Sequence, residues 1–147
     1  MRYMMLVRAS QRSEAGEMPT EQELGAMGKY NEELQKAGVL LDLSGLKPTS
    51  KAVKVRFSGG KRTVVDGPFA EAKEIIAGYW IIQVKSREEA IEWAKRIPAE
   101  AGGMAEVELR PFYELEDFAP GPAIDAEREL GKKLPGAAAA ATGPHKG

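Results

Sequence analysis

The sequence predicts an α+β domain built on an antiparallel sheet, and three observations carry the prediction. Two segments join an apolar strand to a helix opened by the same kind of cap, Thr20-Glu21-Gln22-Glu23 and Ser86-Arg87-Glu88-Glu89. Each helix leads into a further strand. Between the two strand–helix–strand units lies a hairpin turned by Gly59-Gly60. Together these give the ferredoxin-like arrangement: two split βαβ halves, one antiparallel sheet and both helices on one face.

Taken in order, Arg2–Val7 reads as a strand with apolar side chains on both faces. Gln11–Pro19 is polar, holds Gly16 and Pro19, and reads as a loop. The first helix carries Leu24, Met27, Tyr30 or Asn31, Leu34 and Ala37 at helical spacing, and Gly38 closes it. Val39–Leu43 is the second strand. In the hairpin, Val53, Val55 and Phe57 alternate with Lys54, Arg56 and Ser58, and Thr63–Val65 returns. After a short charged bridge, Ala70–Ile76, the segment Gly78–Val84 is the most apolar strand of the chain. The second helix sets Ala90, Ile91, Ala94 and Ile97 on one face with Trp93 at its margin, and Pro98 stops it. Ala105–Arg110 is the last strand.

Two helices cover one face of such a sheet, yet Arg2–Val7 and Gly78–Val84 are apolar on both. A face open to water would alternate apolar and polar residues. The uncovered face therefore predicts a homodimer with two sheets packed face to face. Both Trp80 and Ile82 are then expected to report on the dimer. A monomer with a ligand-filled cleft is the alternative.

Composition narrows the function classes. The 147 residues suffice for one domain with a real core, placed at residues 1–116. Residues 117–147 hold four prolines, five glycines and the run Ala137–Ala141. They read as a flexible tail, with a short helix over Ala123–Leu134 or an arm docked on a partner as alternatives. A net charge of −1 gives no general electrostatic case for nucleic acid or a membrane. The absence of cysteine removes disulfides and thiolate chemistry, no metal or cofactor is called for, and a cytoplasmic location is the expectation. Lys47, Lys51, Lys54, Arg56, Lys61 and Arg62 form a cationic stretch with no acid among them. It suits an anion or protects a hairpin edge.

The stretch Thr63–Trp80, TVVDGPFAEAKEIIAGYW, holds the candidate site. In the Asp66-Gly67-Pro68-Phe69 turn, Gly67 allows unusual backbone angles and Pro68 fixes its own φ. If Val65 and Phe69 exclude water from Asp66, desolvation makes its carboxyl a usable general acid or base. Lys73 can pair with it or bind an anionic group, and Tyr79 can place a hydroxyl at a pocket wall. The bland alternatives are a turn-capping Asp66, a solvated Lys73 and a core Tyr79.

The turn, the IIAGYWIIQVKS strand, a helix ending AKRIP and a terminal VELRP strand resemble the DGPF family of YCII-related proteins over roughly residues 1–115. The resemblance implies a dimeric α+β barrel and a small-molecule ligand near Asp66, Gly67, Pro68, Phe69, Lys73 and Tyr79. It also implies two alternatives: catalysis by Asp66 on a small metabolite, or interaction with an extracytoplasmic-function sigma factor. The chain departs from the family in two places. Ala72 stands where the family usually has Thr. Met27 or a near neighbour stands where the enzymes among its YCII relatives place a helix histidine, and the single histidine here is His145. A His–Asp acid/base pair is therefore missing from the domain.

Overall fold

The structure is a computed structural model that describes residues 1–70, 74–99, 104 and 106–135. Its elements run β1 (Arg2–Arg8), α1 (Gln11–Glu14), α2 (Glu21–Lys36), β2 (Leu40–Gly45), β3 (Val53–Ser58) and β4 (Lys61–Asp66). They continue with β5 (Ile76–Gln83), α3 (Arg87–Lys95), β6 (Val107–Pro111) and α4 (Pro122–Lys132). The main sheet has the order β2-β5-β1-β6, all antiparallel, and β3 and β4 form a separate ribbon. Without the ribbon this is the ferredoxin-like order that the paired strand–helix–strand units predict.

Both helix caps form at the expected residues. The hydroxyl of Thr20 accepts from the Glu23 amide at 3.1 Å, and that of Ser86 from the Glu89 amide at 3.1 Å. The returning carboxylates go elsewhere. Glu23 pairs with Arg12, and Glu89 accepts from the Lys85 amide, one residue before the cap.

The core lies between the sheet and the inner faces of α2 and α3. Met5, Leu34 and Ile82 are fully enclosed, with Tyr3, Tyr30, Trp80, Ala90 and Trp93 around them. Each large apolar side chain so buried contributes about 1.5–3 kcal/mol. Trp93 belongs to this core rather than to the helix margin, and its carbonyl accepts from the Tyr30 hydroxyl at 2.8 Å. Tyr30 and Trp80 meet edge to face at 5.6 Å, and Trp80 Nε1 donates to Asn31 Oδ1 at 2.8 Å. Among the described residues, no fully buried side-chain nitrogen or oxygen lacks a hydrogen-bond partner. Burial raises the Tyr30 hydroxyl well above its ordinary pKa near 10.

Strand register sorts the residues by face. Tyr3, Met5 and Val7 oppose Ile82, Trp80 and Gly78 on the helix side. Met4 and Leu6 oppose Ile81 and Tyr79 on the other side. Trp80 and Ile82 are two residues apart and share the helix face within the protomer core, which corrects their reading as reporters on the dimer. This other, open face has an apolar centre in which Met4, Tyr79 and Ile81 are half-buried and Leu6 is buried. Charges flank it: Arg8 donates to Glu108 at 2.6 Å, and Glu108 also pairs with Arg110.

A segment read as a loop is helical, and in the expected tail the alternative of a short helix is the one that forms. Ser10 and Ser13 form a reciprocal capping box that opens α1 inside the expected Gln11–Pro19 loop. A 3-10 turn, Leu115–Asp117, leads into the expected tail, and α4 follows, started by Pro122 in the first turn. No residue of α4 is buried. The run Ala137–Ala141 and His145 lie outside the described residues.

Candidate functional site

The D-G-P-F turn is held by a neighbour that sequence patterning did not show. A one-turn 3-10 helix, Thr49–Lys51, sits between β2 and the hairpin. The Gly67 amide donates to the Ala52 carbonyl at 2.9 Å, and the Phe69 amide donates to Thr49 Oγ1 at 3.1 Å. Thr49 is buried, and its hydroxyl in turn donates to Glu14 Oε2 at 2.6 Å. Glu14 Oε1 also accepts from the Thr49 amide at 3.0 Å. A carboxylate on α1 thereby orders the turn through one threonine. The Ser10-x-x-Ser13 spacing was the signal that could have found α1.

Gly67 is required for a reason other than an unusual backbone angle, since its φ is not positive. A Cβ there would collide with the Thr49 carbonyl, lying 2.8 Å from its carbon. The turn and the Thr49–Lys51 helix are packed backbone against backbone. Only glycine permits that approach.

Beside this contact opens a cleft of about 590 Å³, within the usual range for small-molecule sites. Leu46, Phe69, Ile75 and Ile76 supply its apolar wall, and Lys47, Lys51 and Lys54 supply positive charge. The Lys54 ammonium lies 4.0 Å from the centre of the Phe69 ring, a cation–π contact. Glu74 also lines the cleft. Among the described residues, no carboxylate is within ion-pair distance of the three lysines.

The expected site residues do not converge on this cleft. Phe69 lines it. Gly67 lies against its Thr49 edge, and the exposed Pro68 joins it to Phe69 by position alone. Asp66 is exposed and stands opposite Val53 across the ribbon. Directly opposed residues share a face, so Asp66 lies on the Val53 side and Lys54 on the other. The desolvation expected from Val65 and Phe69 is therefore absent in the protomer. Tyr79 is on the open face of the main sheet, where its hydroxyl donates to Asp42 Oδ2 at 3.3 Å, instead of at the pocket wall. Lys73 lies outside the described residues.

No cluster of metal-ligating side chains occurs among the described residues. Met27 is half-buried against the core and brings no proton-transfer group. No described helix is long and apolar enough to cross a membrane.

An uncharacterised protein of Rhizobium meliloti is 37% identical over 76 residues, which are 52% of this chain and 61% of that protein. This chain thus spans less than two thirds of that relative's length. Among solved structures, 5-chloro-2-hydroxyhydroquinone dehydrochlorinase from Burkholderia phenoliruptrix, in complex with 2,5-dihydroxybenzoquinone, aligns with a TM-score of 0.45 and 13% identity. That alignment covers 78% of this chain and 95% of the other. The family model of the YCII-related domain matches residues 1–113, and the chain belongs to that family.

Proposed function

We propose that this protein is a homodimer that binds a small, partly apolar anion in the cleft between the Thr49–Lys51 helix and the D-G-P-F turn. The observation that carries the reading is the placement of Lys47, Lys51 and Lys54 around an apolar wall that includes Phe69. An aromatic or aliphatic carboxylate matches that lining: its apolar body meets Phe69 and Ile76, and its charge meets the lysines. Asp66 lies outside the cleft lining, so binding rather than proton transfer by Asp66 is the function supported. The dimer rests on the open face, whose apolar centre and charged margin have the anatomy of an interface.

A thermal-shift screen of small carboxylates and phosphates tests the ligand reading. Binding to the folded state raises the melting temperature, by about 2.7 kcal/mol of stability at a hundredfold excess over Kd. The shift is expected to vanish in the Lys51→Ala, Lys54→Ala double variant and to persist in Asp66→Ala. A shift unaffected by the lysine changes, or no shift from any anion, overturns it. In the second case a protein partner, such as a sigma factor, becomes the reading to pursue.

A further inference from the structure

The β3–β4 ribbon turns its apolar side outward. Directly opposed residues share a face, and faces alternate along each strand, so the pairing sorts the ribbon into two sides. One side is polar apart from Val65, and there the Lys54 ammonium lies over Phe69 at the cleft. The other side holds Val53, Val55, Phe57 and Val64, together with Arg62 and Asp66. All four of its apolar side chains are exposed, Phe57 by 68% and Val64 by 65%. A ribbon that met only water on this side would carry its polar residues there. The face has the character of a contact surface.

The places of its two charges select what covers it. The cross-strand rows of this face are Val53 with Asp66, Val55 with Val64, and Phe57 with Arg62. Asp66 and Arg62 thus stand at opposite ends of β4, about 13 Å apart at strand spacing, with Val64 midway. The Arg62 guanidinium is 4.9 Å from the centre of the Phe57 ring, a cation–π contact that keeps it on this face. Among the described residues, neither Arg62 nor Asp66 has an ion-pair partner. A partner of a single sign would attract one end of the face and repel the other. A second copy of the same face, turned end for end, matches both.

We infer that the apolar ribbon face packs on the same face of a second copy. The two-fold axis lies between the copies and runs across the strands at the Val55–Val64 row. Each Arg62 then faces the partner's Asp66, and each Phe57 faces the partner's Val53. Val55 and Val64 meet their own counterparts, as an isologous contact requires. An axis along the strands would instead bring the two arginine ends together and the two aspartate ends together, so the charges exclude it. Three rows of two residues are far fewer than the roughly 20–30 residues a side of a stable interface. The contact is therefore weak. It is independent of the sheet-face dimer and joins such dimers at high protein concentration.

Sedimentation of the full-length protein over a concentration series tests the contact. The wild type is expected to form, reversibly and at the highest concentrations, a species of twice its low-concentration mass. Arg62→Asp and Asp66→Arg each set like charges opposite one another, and each alone should weaken this association at least about tenfold. Mixing the two single variants restores both opposite-charge pairs, as does combining the two substitutions in one chain. Association is expected to return in both cases. A mixture no stronger than its components, or single variants that associate like the wild type, overturns the contact and leaves the sheet-face dimer standing. A wild-type mass that does not change over the series also overturns it. A low-concentration mass of one chain, with doubling that follows the same charge pattern, supports the ribbon contact and removes the sheet-face dimer.

Discussion

The carbonyl of Thr49 occupies the space that a side chain at Gly67 would need. This one contact fixes the D-G-P-F turn against the helix that borders the cleft. Gly67→Ala is accordingly expected to destabilise the protein by about 1–3 kcal/mol, the usual range for forcing a group into a packed site. By contrast, Gly25→Ala and Gly28→Ala on α2 meet open space and should stabilise by about 0.4–1 kcal/mol each. Denaturant titration of the three variants checks both signs.

The Thr49 hydroxyl links Glu14 to the Phe69 amide. Thr49→Val removes that link and leaves the half-buried carboxylate and amide each short of a partner. A loss of about 1–3 kcal/mol is expected, with Thr49→Ser retaining most of the stability. Equal stability of the valine and serine variants would mean that the hydroxyl relay contributes nothing.

Asp66 is exposed, and among the described residues none forms an ion pair with its carboxylate. Its replacement by Ala should therefore change stability by no more than about 0.5 kcal/mol. A fall of several degrees in melting temperature would show that the carboxylate caps the turn after all.

Tyr79 and Ile81 face away from the helices, whereas Trp80 and Ile82 are enclosed by them. Ile81→Asp should preserve the fold and convert a dimer to a monomer. Trp80→Asp should unfold the chain, since it buries an unpaired charge. Circular dichroism and light scattering on the two variants separate these outcomes. A dimer mass for folded Ile81→Asp would exclude the open face as the interface.

Burial raises the Tyr30 pKa above its ordinary value near 10. Above that pH the unfolded chain releases the phenol proton while the folded chain keeps it. Tyr30 thus contributes stability that is present below pH 10 and declines as the pH rises through its folded pKa. Tyr30→Phe should lose about 1 kcal/mol at neutral pH and show a shallower alkaline decline. Urea midpoints measured between pH 8 and 11 check it.

Sequence patterning alone set the order of the strands and the two long helices, the starts of α2 and α3 and the Gly59-Gly60 hairpin. Each depends on near neighbours: a capping hydroxyl and an amide three residues on, or a turn whose glycines take positive φ. The α+β class followed, because periodicity and caps are properties of short segments. Tertiary structure decided the rest, since register and loop packing join residues far apart in the chain. It set Asp66 and Lys54 on opposite faces of one ribbon and moved Tyr79 to the open sheet. It also brought Glu14 to Thr49, 35 residues away, to form an anchor for the turn. A side chain's face alternates residue by residue, so a site depends on strand pairing and on which surfaces meet. Those are settled by the folded chain.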